Sequence, residues 1–389
     1  MKNPMTPSTR FAKLGAGLLA TSMSVWSAGA LAMNGAQLGG YGIKSAGMGG
    51  ASIALPLDPS AAANNPAGMA FVPSSFTQNL VVFKGQSTVS IFNSPFDDNS
   101  TVIAPEGGAN WVLSPTMTVG LTGSGSGAGV DFGKPLPFLG KGNLTASQKV
   151  LEVIPSVTWK VQPDLALGLG VIFAWQQVNL QGSPFPDHGT QTATGIGARL
   201  GMQWNASPEF SLGATYKMKT LMGKLGEYGD AGNAFAYSDG KLDLPAEYGL
   251  GVAWKASPAV TLAADYVVIQ YGDVKANQDP NGPGWKDQPV MRLGVSWEVN
   301  PTWTLRGGYS SNKLQIDGSR TAQNMLTPAV NDRSYTFGVS MKIDTVSDVS
   351  FSLEDNPAAT LNDTGATPGP VSSITSKTQV MRIGYQRAF

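Results

Sequence analysis

Five times in this chain a tryptophan stands four residues before a proline: Trp111/Pro115, Trp159/Pro163, Trp204/Pro208, Trp254/Pro258 and Trp297/Pro301. The residue before each proline is polar (Ser114, Gln162, Ser207, Ser257 or Asn300), and each proline opens a run of alternating apolar residues. Successive tryptophans are 48, 45, 50 and 43 residues apart. That period fits one up-and-down strand pair with its loops. An aromatic at the same point of every hairpin is the pattern of an interfacial girdle on a transmembrane β-barrel.

The alternation between these turns has a period of two. After Pro163, Leu165, Leu167, Leu169, Val171, Phe173 and Trp175 share one face, opposite Ala166, Gly168, Gly170 and Ala174. After Pro208, Phe210, Leu212, Ala214, Tyr216 and Met218 alternate with Ser211, Gly213, Thr215, Lys217 and Lys219. A helix would space its apolar residues three and four apart. The pattern predicts strands over 76–92, 104–113, 116–129, 150–161, 164–179, 190–205, 209–223, 243–255, 259–271, 287–299, 302–314, 333–344, 348–356 and 376–389. This is an all-β fold, a fourteen-strand antiparallel barrel, the even count expected of a single-chain bacterial barrel. The proline turns and Asp344–Asp348 make short connections on one side, and longer loops are expected on the other. Short turns lie on the periplasmic side and long loops outside.

Lys2, Arg10 and Lys13, the apolar stretch from Leu14 to Trp26, and Ala30-Leu31-Ala32 together read as a secretory signal over residues 1–32. Its removal leaves 389 − 32 = 357 residues and takes three basic and no acidic side chains, giving 23 basic against 26 acidic groups. No basic patch points to nucleic acid. Without cysteine, disulfides and thiolate metal sites are excluded. The single histidine, His188, leaves no histidine pair for a metal, and no serine carries a nucleophile motif. No enzyme activity, catalytic residue, metal or cofactor is expected. With 48 glycines and 13% charged residues, the composition suits lipid outside and a packed lumen inside.

Residues 33–75 fall outside the alternating pattern, yet they mix Gly, Ala, Asn and Pro with apolar residues such as Leu38, Ile43, Met48 and Met69. Two readings are open, a disordered periplasmic tail or a segment folded into the barrel (76–389). Within it, Ser45-Ala46-Gly47-Met48-Gly49-Gly50-Ala51 and Asn64-Asn65-Pro66-Ala67-Gly68-Met69 resemble the N-terminal hatch of the FadL/TodX outer-membrane transporters of hydrophobic compounds. Leu244 to Val252, Trp303 to Tyr309 and Arg382 to Tyr385 resemble further family segments, so the likeness runs through the mature chain. The resemblance implies passive transport of long-chain fatty acids or small hydrocarbons, gated by a hatch whose motif is matched by Asn65, Pro66 and Ala67. It also implies lateral exit at the third strand, where Gly120, Gly123, Gly125 and Gly127 form the candidate opening. The terminal aromatic, Phe389, resembles the signal read by the barrel assembly machinery. A monomer surrounded by outer-membrane lipid and lipopolysaccharide is expected.

Placing the tryptophan face outward turns Arg199, Arg292 and Arg306 into the lumen by two-residue geometry. They either join a rigid ionic network with Glu152, Glu247, Asp265 and Glu354, or meet a ligand carboxylate through paired bonds. Phe132, Phe138, Leu139, Phe235 and Tyr237 form a candidate capture surface in the loops, or pack against the loops themselves. The loop near Gln181–Gly189 is short for the family, which leaves room for substrates smaller than a fatty acid. The alternatives to a gated transporter are a general aqueous porin and a structural or adhesin barrel.

Overall fold

The computed structural model describes residues 35, 37–137, 139–366 and 369–389. The signal assignment at 1–32 and the capture residue Phe138 lie outside the described residues. The strands are β1 (Ser75–Ile91), β2 (Ser94–Val112), β3 (Met117–Asp131), β4 (Thr145–Lys160), β5 (Leu165–Gln181), β6 (Thr190–Trp204), β7 (Phe210–Lys217), β8 (Leu221–Met222), β9 (Ala246–Ser257), β10 (Val260–Gln270), β11 (Gln288–Glu298), β12 (Trp303–Asn312), β13 (Arg333–Lys342), β14 (Ser347–Asn362) and β15 (Val371–Ala388). The two-residue β8 pairs only with β6, beyond the end of β7. The other fourteen pair antiparallel with their sequence neighbours, and β1 pairs with β15, so the sheet closes.

At four of the five proline turns the polar residue before the proline has a local job. Ser114 Oγ accepts from the N–H groups of Thr116 and Met117 at 3.3 and 3.1 Å. Ser207 and Ser257 receive the equivalent pairs, and Asn300 Oδ1 accepts from Thr302 and Trp303, both at 2.9 Å. Proline presets the bend, and the short side chain occupies the donors that the bend leaves free. The tryptophans just before the turns face outward; Trp159 is 58% exposed. Across the same outer face Leu167, Phe173, Ile196, Leu200 and Leu250 are exposed, while the inward Arg199, Lys217 and Arg382 are buried. A barrel that meets lipid outside and encloses its charges has this sorting.

Three expectations need correction. The connection from β1 to β2 is not a long loop but a two-residue hairpin at Phe92 and Asn93, with φ of 49° and 60°. Left-handed conformation at both residues matches the twist of the flanking strands. Strand β2 therefore begins at Ser94 rather than near 104, and β4, β14 and β15 also run further from the proline turns than the alternation indicated. Their extra residues are polar on the outer face, so no apolar period marks them. The strand expected over 209–223 is interrupted between Lys217 and Leu221.

Candidate functional site

The N-terminal segment occupies the lumen. Every described residue from Gln37 to Ala54 and from Asp58 to Ala70 is buried. Apart from short helical turns at Ile43–Ala46, Pro59–Ala63 and Pro66–Phe71 it is irregular, so its backbone groups need partners from elsewhere. The wall supplies them. Asp265 Oδ2 accepts from the N–H of Ser52 and Ile53 at 2.7 and 3.0 Å, and Glu106 Oε1 from that of Gly42 at 2.6 Å. Thr158 donates to the carbonyl of Pro66 at 2.6 Å, Gln203 to that of Ala54 at 2.8 Å and Asn110 to that of Val72 at 2.6 Å.

The Asn65-Pro66-Ala67 turn sits at the centre of this seat. Asn65 caps the Pro66–Phe71 turn by accepting from the N–H of Ala67, while its Nδ2 donates to the carbonyls of Ile53 and Met202 at 2.8 and 2.9 Å. The wall facing it is stripped to glycine. A Cβ on Gly168 would overlap the backbone of Ala67, and one on Gly201 would overlap the Asn65 side chain. Gly213 and Gly308 stand in the same relation to Ile53 and Gly49. Much of the glycine content is thus backbone pressed on backbone inside the lumen.

Above the segment lies a cavity of about 150 Å³, mostly apolar, bounded below by Gln37 and Tyr41 and laterally by β3, β4, β5 and β7. Loops roof it with Phe235, Tyr271, Trp285 and Leu326. Tyr271 and Trp285 meet edge-to-face at 5.0 Å, and Trp285 Nε1 donates to Asn324 Oδ1 at 2.6 Å. The cation in the lining, Lys217, bonds Glu152 at 2.8 Å.

None of the three arginines proposed as carboxylate contacts lines this cavity. All face inward as expected, but lie against the N-terminal segment. Arg199 bonds Glu247 and the carbonyl of Asn64, both at 3.0 Å, so it ties wall to N-terminal segment. Arg306 donates to Ser340 Oγ at 2.6 Å, and Arg292 stands opposite Asp265 across β10 and β11. Facing follows from a two-residue period, but what an inward side chain meets does not. Lys217 and Glu152 were legible as inward, but nothing in the sequence marked them as cavity residues. Of the loop aromatics, Phe235 lines the cavity, Phe132 is buried edge-to-face with Phe96 at 5.8 Å, Leu139 is partly buried against the same core, and Tyr237 is exposed. Phe132 therefore packs within the loops.

The glycine-rich third strand is held differently by its two neighbours. It pairs with β4 from Met117 to Asp131 without interruption. Its pairing with β2 stops at Glu106/Ser124, and the next bond across is from the N–H of Asp131 to Asp98 Oδ1 at 2.9 Å. Between these points Gly125, Gly127 and Gly129 occupy the outward positions, and inward Ser126 and Ala128 line the cavity. Pro105, at the rung where pairing fails, has no N–H to donate. Gly120 lies lower, where a Cβ would press on Met69 and Ser156, so it belongs to the seat and not to the gap.

Two loops over the cavity are joined by His188. Its ring nitrogens bond Asn233 Oδ1 and Glu227 Oε2, both at 2.6 Å, and the ring meets Tyr228 edge-to-face. The hydrogen bond to Asn233, then that to Glu227, holds the imidazole above its ordinary pKa. A raised folded value means that the latch is fully made below the ordinary value of about 6.5 and lost as pH rises through the raised one. Hydrogen exchange at 182–189 and 226–240, corrected for its intrinsic pH dependence, is expected to be slower on the acid side. His188→Gln should flatten that profile. Identical protection across the range in the unsubstituted protein would disprove the latch.

A closed fourteen-strand barrel with a lipid-facing apolar surface, a filled lumen and a cavity above the filling is that of an outer-membrane transport protein. The chain belongs to the outer membrane protein transport protein family (OMPP1/FadL/TodX), whose model matches residues 18–389. It is similar in fold to the Pseudomonas putida toluene transporter TodX (TM-score 0.71, 20% identity, covering 91% of this chain and 99% of TodX). It is likewise similar to the Ralstonia pickettii toluene transporter TbuX (0.67, 18%, covering 91% and 99%) and to a Pseudomonas aeruginosa FadL homologue (0.68, 16%, covering 91% and 100%). No curated protein sequence matches the chain.

Proposed function

We propose that this protein carries small, uncharged hydrophobic compounds passively across the outer membrane, with residues 1–32 directing export. Substrate enters through the loops, rests in the cavity above the N-terminal segment and leaves sideways between β2 and β3, the segment acting as hatch. The observation that carries this reading is the cavity: about 150 Å³, mostly apolar, with its lysine already held by a glutamate. An apolar space of roughly this size accommodates benzene. A long-chain fatty acid is far larger, and its carboxylate would have to displace Glu152 from Lys217. The descriptions of TodX and TbuX as toluene transporters agree with this choice. The porin and adhesin alternatives are disfavoured by a lumen bonded shut along the N-terminal segment.

The test is uptake of labelled toluene and labelled oleate by cells lacking their own hydrophobic transporter, with and without this protein. Toluene uptake should rise and oleate uptake should not. Oleate uptake alone would overturn the small-compound reading, and uptake of neither by correctly inserted protein would favour the porin or adhesin alternative.

A further inference from the structure

Strands β14, β15, β1 and β2 carry three chemistries in order along their outer face. Nearest the proline turns it is apolar, with Leu80 and Val82 on β1, Met381 and Ile383 on β15, and Leu353 on β14. Directly beyond stand Lys84 and Lys377. In the β1–β15 register Lys84 opposes Gln379 and Gln86 opposes Lys377, so the lysines are diagonal neighbours about 7–8 Å apart. Neither has an ion pair among the described residues. Two acids share the face. Asp355 accepts from Gln379 at 2.8 Å, and Asp97 accepts from Thr88 at 2.6 Å. Beyond the lysines the strands rise with hydroxyl and amide side chains outward, including Gln86 against Asn99 and Thr360 against Thr375.

We propose that this wall docks a phosphorylated acyl-sugar lipid of the outer leaflet, its phosphate held between Lys84 and Lys377. The height of the pair selects the occupant. A phosphate at the edge of the acyl region meets both cations, its acyl chains lie on Leu80 and Val82, and its sugar meets the hydroxyl and amide rows. A soluble protein partner would account for the upper rows but not for two lysines at the rim of a lipid-facing band. The inference is independent of which compound the lumen carries.

The test titrates the purified, detergent-solubilised protein, by native mass spectrometry, with bisphosphorylated lipid A, with chemically dephosphorylated lipid A and with phosphatidylglycerol. Bisphosphorylated lipid A should bind most tightly. Lys84→Gln with Lys377→Gln should weaken it about thirtyfold, since one basic residue near an anionic lipid surface contributes roughly fivefold, while Lys84→Arg with Lys377→Arg should retain it. Heat-modifiable gel migration reports that each variant is folded. Equal binding by the folded Gln variant, or of dephosphorylated lipid A, would overturn the phosphate site. Equally tight phosphatidylglycerol would overturn the sugar-bearing occupant.

Discussion

A disulfide joining Pro105→Cys on β2 to Gly125→Cys on β3 is expected to reduce toluene uptake to the background of cells without the protein, and a reductant should restore it. These positions form the first rung beyond the last paired one, Glu106/Ser124. The residues facing the cavity just above are Ser126 and Ala128, so a staple here closes the unpaired stretch without altering the cavity lining. The chain has no other cysteine, hence no competing disulfide. The control is a pair four residues lower on the same face, Ala109→Cys with Leu121→Cys, where the strands are already paired and stapling should leave transport intact. Full uptake through the oxidised upper staple would eliminate lateral exit and direct attention to a route past the N-terminal segment.

The second large effect is electrical. Deleting residues 37–72 should convert a protein that passes little steady current in planar bilayers into one that conducts continuously. An eight-strand barrel is filled by its own side chains, whereas barrels of sixteen or more strands leave a water channel. At fourteen strands, with glycine at wall positions such as Gly168, Gly201, Gly213 and Gly308, this wall cannot fill its own lumen. The deletion also strips partners from Asp265, Asn110, Gln203 and Thr158, whose freed polar groups would then line a wet pore. A deleted barrel that inserts and stays closed would show that the segment is not the barrier.

Most of the architecture was legible because lipid and turn chemistry write local patterns. The Trp–Pro spacing, the serine or asparagine before the proline and the outward Leu/Phe rows each follow from a rule acting within a few residues. Strand ends that rise beyond the lipid were not legible, since their outward residues, such as Asp97, Asn99 and Thr101, are polar and follow no apolar period. The hairpin at Phe92-Asn93 escaped for a related reason: Phe is not a residue that announces two left-handed conformations. The site was harder still. Asn65-Pro66-Ala67 and the outward glycines of β3 are sequence-local and could be singled out. The cavity, by contrast, draws Tyr41, Lys217, Phe235 and Trp285 from distant stretches. Alternation predicted that Arg199 and Lys217 face inward, but not that these cross-strand partners would divide, Lys217 lining the cavity and Arg199 holding the segment.

The β1–β15 seam has a consequence for how the molecule comes into being. Phe389 donates its backbone N–H to the carbonyl of Ser74, beside the register in which β15 pairs along β1. Until that seam forms, the sheet presents two open edges, which a hydrocarbon environment does not tolerate. The N-terminal segment, covalently joined to β1, is meanwhile bonded to residues as far round the circumference as Thr158, Asp265 and Thr336. Closure of the seam therefore encircles a cargo that belongs to the same chain. A barrel that closed first would instead have to take up this irregular segment through the mouth of a finished ring and make all of these bonds there.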